Sequence, residues 1–199
     1  MGSRRLTGFW LAMGLGLAMA LPAGAAAKIS VKTEYYPISG KTGGSLLDQM
    51  DRRGPKHGFM TRAIAQTRYT MNSGAEWRYS KGICRASDVS IELAITYVYP
   101  QPKGAVSAGL KKRWSRFMAG VVAHEEMHGR LARQMANAAS KAVAGMAVRD
   151  KRSCASVQRQ MKRKINAIVA DYEARQEKFD DDEHRQGGNI DGLVRSLAR

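Results

Sequence analysis

The sequence of 199 residues has few aromatic residues, few cysteines and few long apolar runs. Aromatic residues make up 7% of the chain, which predicts a core of aliphatic side chains and methionine. No long uncharged apolar run follows residue 27, which excludes a polytopic membrane protein. The hydrophobic fraction is nevertheless 44%, so a disordered or collagen-like chain is excluded too. One domain of ordinary size is expected at this length.

The first segment of the chain indicates export. A pair of arginines precedes an apolar run that ends at Pro22 and several alanines, which is the order of a secretory signal. We predict a signal peptide over residues 1–27, cleaved near Ala25 or Ala27, and a periplasmic or secreted mature protein. A retained anchor is the alternative, since the segment is just long enough to cross a bilayer. Because Pro22 and the alanines interrupt that pattern, we expect no stable membrane span after cleavage.

Acidic residues are also scarce, with 17 Asp and Glu against 33 Lys and Arg, and the formal net charge is +16. A charge of this size attracts polyanions, such as the phosphate-rich lipids and wall polymers of a bacterial envelope. Export, and the dispersal of the basic residues along helix-like segments, argue against nucleic acid as a partner. A solvated basic face with no dedicated partner is the simpler interpretation. The sequence does not indicate an oligomeric state.

The only two cysteines are Cys84 and Cys154, and both lie after the predicted leader. An exported chain with two cysteines allows one intramolecular pairing, because its compartment is oxidising. We therefore predict a disulfide between Cys84 and Cys154.

The first half of the mature chain predicts a small antiparallel sheet. Its β-branched and aromatic runs are divided by turn residues, including a turn at 72–74, and closely spaced turns favour hairpins. The predicted strands are 31–38, 65–71, 76–79 and 89–99, with a short helix at 46–52. We expect strand 89–99 to form the sheet edge along which a substrate binds.

After Pro102 the apolar residues recur at helical spacing, which predicts a long amphipathic helix. Its stripe comprises Leu110, Trp114, Phe117, Val121, His124, His128, Leu131 and Met135. A second helix begins after Ser153, a suitable cap, and should pack on the first as a hairpin. Residues 185–199 have little to bury and are expected to form a flexible tail. The predicted fold class is therefore α+β.

The first long helix contains His124-Glu125-Glu126-Met127-His128, an H-E-x-x-H motif. At 3.6 residues per turn the two histidines project from one face, so their ring nitrogens can bind one zinc ion. Glu125 is rotated about 100° from His124 and can act as general base toward a zinc-bound water. The motif predicts a zinc metallopeptidase whose substrate is a peptide or protein, with cell-wall peptide crosslinks as one variant.

A third zinc ligand must come from outside the motif. The longer motif of the Met-turn proteases requires Gly at 131 and His at 134, and this chain has Leu131 and Gln134. The candidates that remain are His57, His184, Glu173 and Glu177. We favour His184, because histidine is scarce here and His184 stands close after the second helix. Asp180, four residues earlier, could then hydrogen-bond its second ring nitrogen.

Several elements in order resemble a bacterial family labelled predicted secreted zinc-dependent proteases, a domain of otherwise unknown function. They are the Tyr35-Tyr36-x-Ile38-x-Gly40 opening, the Gly54-Pro55 turn, strands with Trp77 and Cys84, and a helix with Trp114 and the H-E-x-x-H motif. In that family an aromatic-Asp element and His-Gly follow the second helix. The segment Phe179-Asp180-Asp181-Asp182-Glu183-His184 is similar, although Arg185 replaces the glycine. The resemblance implies a zincin-like metallopeptidase domain over residues 28–184.

Two other interpretations account for part of the pattern. A closed structural zinc site would make the protein a non-catalytic, zinc-stabilised envelope-binding module, but a closed site gives Glu125 no role. Two core histidines without metal would require burial of two polar rings beside a carboxylate, which is costly. Replacement of Glu125 separates an enzyme from a binding module.

Overall fold

The computed structural model of the protein describes residues 26–57 and 61–199. The predicted signal peptide and its cleavage near Ala25 therefore fall almost wholly outside the described residues. The elements are β1 (Lys28–Ile38), α1 (Gly43–Arg53), β2 (Lys56–His57), β3 (Thr61–Arg62), β4 (Gln66–Ser80), β5 (Ile83–Pro102), α2 (Ala108–Val143), β6 (Ala147–Arg149), α3 (Ala155–His184) and α4 (Asn189–Ala198). The predicted α+β class is confirmed. Within the described residues, no helix combines the length and the apolar character needed to cross a bilayer.

The main sheet is mixed rather than antiparallel. Its strand order is β1-β5-β4, with the short β6 also paired to β5. Strands β4 and β5 form an antiparallel hairpin, whereas β1 runs parallel to β5. The segment containing α1 and the β2–β3 pair connects the end of β1 to the start of β4 at one end of the sheet. Strand β4 therefore runs antiparallel to β1. Because β1 is parallel to β5, the prediction of an antiparallel sheet is wrong.

Strand β4 is one long strand, so the turn predicted at residues 72–74 is also wrong. Asn72, Ser73 and Gly74 pair with β5, and a β-bulge follows between Gly74 and Glu76. The chain turns later, at Lys81 and Gly82, which both have positive φ, as a tight hairpin turn requires. Because β5 lies between β1 and β4, it is the central strand. The prediction that strand 89–99 is the substrate edge is therefore corrected, and β4 is an edge strand.

The two long helices pack on one face of the sheet. Leu93 and Ile95 of β5, Phe117 and Val121 of α2, and Ile165 of α3 belong to one buried cluster. The apolar stripe that predicted α2 thus faces the core, because residues three and four apart share one side of a helix.

The predicted disulfide is present and fixes the start of α3. Cys84 and Cys154 are joined with a Cα–Cα separation of 5.4 Å. The expected cap by Ser153 is wrong, since Cys154 occupies the N-cap position without a side-chain capping bond. The Asp150 carboxylate replaces it and accepts hydrogen bonds from the backbone N–H groups of Ser156 and Val157, at 2.6 and 3.2 Å.

The carboxyl terminus is an ordered helix, so the prediction of a flexible tail over residues 185–199 is wrong. Helix α4 buries Ile190 and Leu197, which are 5% and 1% exposed. Leu193 packs over Gly120 of α2, and the backbone carbonyl of Leu197 lies against Gly43 at the start of α1. Helix α4 therefore closes one end of the domain, beside the cavity described below.

Candidate metal centre

Helix α2 carries the H-E-x-x-H motif into the interior. His124 and Glu125 are buried, with 6% and 5% exposure, and His128 is half-buried. The next residue is Gly129, where a Cβ atom would collide with the Tyr97 hydroxyl of β5. A residue without a side chain is therefore needed for α2 to lie this close to the sheet at the level of the motif.

Three side chains bring potential ligand atoms to one point. His128 Nε2 lies 3.2 Å from His124 Nε2 and 2.9 Å from Asp180 Oδ1. His124 Nε2 lies 3.2 Å from the same Asp180 oxygen. In a tetrahedral zinc site with bonds of about 2.0–2.1 Å, neighbouring ligand atoms are about 3.3 Å apart. The three separations are close to the edges of such a tetrahedron, so His124, His128 and Asp180 form a candidate metal group.

Gln176 of α3 determines which nitrogen of His128 faces this group. Its amide nitrogen lies 3.3 Å from the backbone carbonyl of His128, to which it can only donate. The amide oxygen Oε1 is then 2.5 Å from His128 Nδ1 and accepts a hydrogen bond from it. Neutral His128 therefore carries its proton on Nδ1 and a lone pair on Nε2, which is the form that binds a metal.

The donor set fits a cation. The Nε2 lone pair of neutral His128 faces an Asp180 oxygen at 2.9 Å, and two acceptors this close repel each other unless a proton or a metal ion lies between them. Without a metal, a proton takes that place: burial lowers the pKa of His128, but hydrogen bonds with Asp180 and Gln176 outweigh burial and raise it. Burial raises the pKa of Asp180, and hydrogen bonds from His124 and His128 lower it well below its usual range.

Glu125 lies beside the metal group and is held by β4. The Thr67 hydroxyl lies 2.7 Å from Glu125 Oε2 and 3.0 Å from the Glu125 backbone carbonyl. Burial raises the pKa of Glu125, and the hydrogen bond from Thr67 lowers it in part. A carboxylate whose pKa is raised by burial and whose position is fixed by a hydrogen bond is suited to take up and release a proton.

The predicted ligand His184 lies in the same cavity but outside the three-residue group. Its ring centroid is 5.2 Å from that of His124, edge to face, and burial lowers its pKa. Asp180, expected to hydrogen-bond His184, contacts His124 and His128 instead. Glu173 and Glu177 are exposed and do not belong to the group. The side chain of the fourth candidate, His57, lies outside the described part of the structure.

Sequence reasoning placed Asp180 in the site only as a hydrogen-bond partner of His184, and it did not consider Gln176. Both lie on α3 with Phe179, whose ring stacks on His124 at a centroid distance of 4.8 Å. The spacing of Gln176, Asp180 and His184 at four-residue intervals places them on one helix face. That periodicity was the available sequence signal, since it marks a polar stripe that could face the two histidines.

The metal group lies at a cavity of 590 Å³ that is open to solvent. Segment 63–67, which leads into β4, forms one wall, and α3 forms another with Asp181 and His184. Ile190 of α4 contributes to the same cavity. A substrate therefore has access to Glu125 and to the ligand atoms between the edge strand β4 and helix α3.

Residues 33–188 match a family described as "Bacterial protein of unknown function (DUF922)". The match covers most of the chain, which therefore belongs to this family. No curated protein matches the chain, and no solved structure does.

Proposed function

We propose that this member of a bacterial family of unknown function is an exported zinc-dependent metallopeptidase with a zincin-like arrangement of its site. The observation that carries the proposal is the convergence of His124, His128 and Asp180 beside Glu125 in an open cavity. Two imidazoles and a carboxylate, with one position left for water, are the ligands of catalytic zinc sites in metallopeptidases. The disulfide between Cys84 and Cys154 supports a periplasmic or secreted location, because such bonds persist in oxidising compartments.

The residues divide into those that would hold the metal and those that move protons. His124 and His128 offer two nitrogens, and the spacing of the oxygen of Asp180 favours it as the third ligand. His184 remains the third ligand predicted from the sequence. When bound, zinc would lower the pKa of a water molecule and polarise the scissile carbonyl. The metal ligands and the proton carrier thus come from two elements, α2 and α3, and β4 contributes Thr67, which holds Glu125.

Glu125 would perform the proton transfers. Its carboxylate takes a proton from the attacking water and passes it to the amine that leaves when the peptide bond breaks. The Thr67 hydroxyl, 2.7 Å from Oε2, keeps the carboxylate in place during both transfers. Burial of Glu125 keeps bulk water away from the side of the carboxylate that does not face the cavity.

The substrate would bind along β4. Within the described residues β4 pairs only with β5, so its other edge keeps unpaired backbone N–H and C=O groups. An extended peptide can add to such an edge as a further strand. Thr67 lies near the start of β4 and contacts Glu125, so a peptide bound there passes the general base.

The test is replacement of Glu125 with Gln. We expect Glu125→Gln to keep zinc and to lose at least about 100-fold in kcat/KM, because general acid–base catalysis contributes about 10²- to 10⁴-fold. Glu126→Gln is the matched control, since Glu126 is the next residue and is exposed; it should cleave like the parent chain. Zinc content and cleavage of a dye-quenched unfolded protein are the measurements. Wild-type cleavage by Glu125→Gln would contradict the mechanism.

The second candidate is the non-catalytic, zinc-stabilised envelope-binding module, for which the net charge of +16 is the supporting observation. A module of this kind uses zinc for folding only. A zinc-loaded parent chain that cleaves no peptide, yet unfolds when zinc is removed, would favour the module over the peptidase.

A further inference from the structure

A second cavity lies on the same side of the sheet as the candidate metal centre. Its volume is 760 Å³, and we call it the β4–α3 groove after its two main walls. Alternate residues of β4 supply Tyr69, Met71 and Trp77, while α3 supplies Met161, Ile165 and Val169. Apolar side chains form the larger part of the walls, beside the polar residues Ser73, Gln158 and Asn166, and Met71, Trp77 and Val169 are only half-buried.

The groove continues from the cavity of the metal centre. Tyr69 lines both cavities, and Gln176, which holds His128, lines the first cavity together with it. Met71 lies four residues beyond Thr67, which is about 13 Å along a strand. A polypeptide that passes Glu125 along β4 therefore reaches the groove within about four residues.

The charge and polarity of the lining residues indicate which class of ligand the β4–α3 groove binds. Its charged lining residues, Lys162 and Glu173, are one of each sign, so the groove does not favour a polyanion. Side chains at alternate positions of an extended peptide point to one face, as do Tyr69, Met71 and Trp77 on β4. Apolar side chains at such spacing would cover the exposed parts of Met71 and Val169, which polar wall peptides or sugars would not do.

We propose that the β4–α3 groove binds an apolar segment of the polypeptide substrate a few residues from the cleaved bond. This inference rests on the proposed peptidase function and narrows its substrate class. The substrate is an extended or unfolded polypeptide with apolar side chains, rather than a short, polar cell-wall peptide.

A binding experiment tests the groove without relying on cleavage. The chain carries Glu125→Gln, so that the probe stays intact. The probe is a fluorescein-labelled twelve-residue peptide with Leu at alternate positions, compared with the same peptide carrying Asn at those positions. By fluorescence anisotropy we expect the Leu peptide to bind at least about 10-fold more tightly, since large apolar side chains leave water. Equal affinity for the two peptides would overturn the proposal.

Paired variants locate the binding. Met71→Lys and Val169→Lys place a charge in the groove and should weaken binding of the Leu peptide at least about 10-fold. Their controls are Thr70→Lys and Ala170→Lys, which change exposed neighbours on the same elements and should alter affinity less than about twofold. Equal losses in groove and control variants would overturn the proposal.

A crosslinking measurement needs no groove variant and remains decisive if a lysine variant fails to fold. The Leu peptide carries a diazirine on one leucine, and the sites joined to the Glu125→Gln chain are mapped by mass spectrometry. Crosslinks within 69–77 and 158–173 support the groove, and crosslinks confined to other segments overturn it. A parent chain that binds the peptide there but cleaves nothing would refute the peptidase alone. Cleavage without groove crosslinks would refute the groove alone.

Discussion

At the scale of single residues, Gln176 sets the His128 tautomer on which the proposed zinc binding would depend. Gln176→Leu removes the acceptor of the His128 Nδ1 proton, so the proton can move to Nε2 and block the ligand atom. We expect zinc affinity to fall by about 10- to 100-fold, as for other groups that orient metal ligands. Gln176→Glu keeps an acceptor and should retain most of the affinity. Competition with a chromophoric chelator measures both variants.

The tautomer itself gives a second readout for Gln176. In the zinc-free chain, at a pH high enough for His128 to be neutral, its ¹⁵N chemical shifts should report a proton on Nδ1 in the parent and in Gln176→Glu. They should report the other tautomer in Gln176→Leu. A Leu variant with parental zinc affinity and an unchanged tautomer would contradict this role for Gln176.

The identity of the third zinc ligand is a second question that single-residue variants can answer. Asp180 Oδ1 lies within 3.2 Å of both His124 Nε2 and His128 Nε2, whereas His184 is outside the group. We therefore expect Asp180→Ala to lose at least about 100-fold in zinc affinity, more than loss of an outer-shell partner, and His184→Ala to lose less than about 10-fold. Asp182→Ala is the control, since Asp182 is exposed and pairs with Lys178. The reverse order for Asp180 and His184 would support the ligand predicted from the sequence.

At the scale of elements, α4 is held by close contact between backbones. A Cβ atom on Gly43 would collide with the carbonyl oxygen of Leu197, whereas one on Gly44 would meet nothing within 4 Å. Gly43→Ala should therefore lower the free energy of unfolding by about 1–3 kcal/mol, as overpacking does. Gly44→Ala, its matched control, should be neutral or raise it by up to about 1 kcal/mol. Urea unfolding measures both, and equal effects would show that α4 does not dock there.

The elements also show how far the sequence alone could reach. Helix α2 could be predicted because its apolar residues recur at the helical period over many turns. Strand β4 could not, because Asn72, Ser73 and Gly74 favour a turn locally, and pairing with β5 overrides that preference. Helix α4 was missed since Gly187-Gly188 suggested a loose end, although Ile190, Leu193, Val194 and Leu197 have the spacing of a buried helix face.

The residues of the candidate site also differ in how far the sequence alone could predict them. His124, Glu125 and His128 lie within one helix, so their spacing in sequence gives their spacing in space. The contribution of α3 depends on how two helices cross, which is set by packing of side chains far from the site. Asp180 and His184 are one turn apart on α3. Only the packing of α3 against α2 places Asp180, rather than His184, between the two histidines.

At the scale of the whole molecule, the titrating residues of the candidate metal centre couple stability to pH. In the zinc-free chain, the raised pKa of His128 means that its protonation stabilises the fold below the ordinary pKa, and this is lost as pH rises through the raised value. The pKa of Asp180 is lowered, so its ionised carboxylate stabilises the fold above the ordinary carboxyl pKa. This stabilisation is lost as pH falls through the lowered value. For these two groups, stability is greatest at roughly pH 4–6.5.

Zinc should counteract the loss of stability that follows as pH rises through the raised pKa of His128. Zinc and protons compete for the same histidine nitrogens, so zinc binds more tightly at higher pH. We expect the melting temperature of the zinc-free chain in chelator to fall between pH 6 and pH 8, and the increase caused by added zinc to grow over the same interval. Differential scanning calorimetry of the parent chain with zinc or with chelator measures both effects. His128→Ala removes the titrating ligand, so its zinc-free melting temperature should vary less with pH and respond little to zinc. A zinc-induced increase of equal size at pH 6 and pH 8 would mean that no proton leaves the site when zinc binds, and the histidines would then not be its ligands.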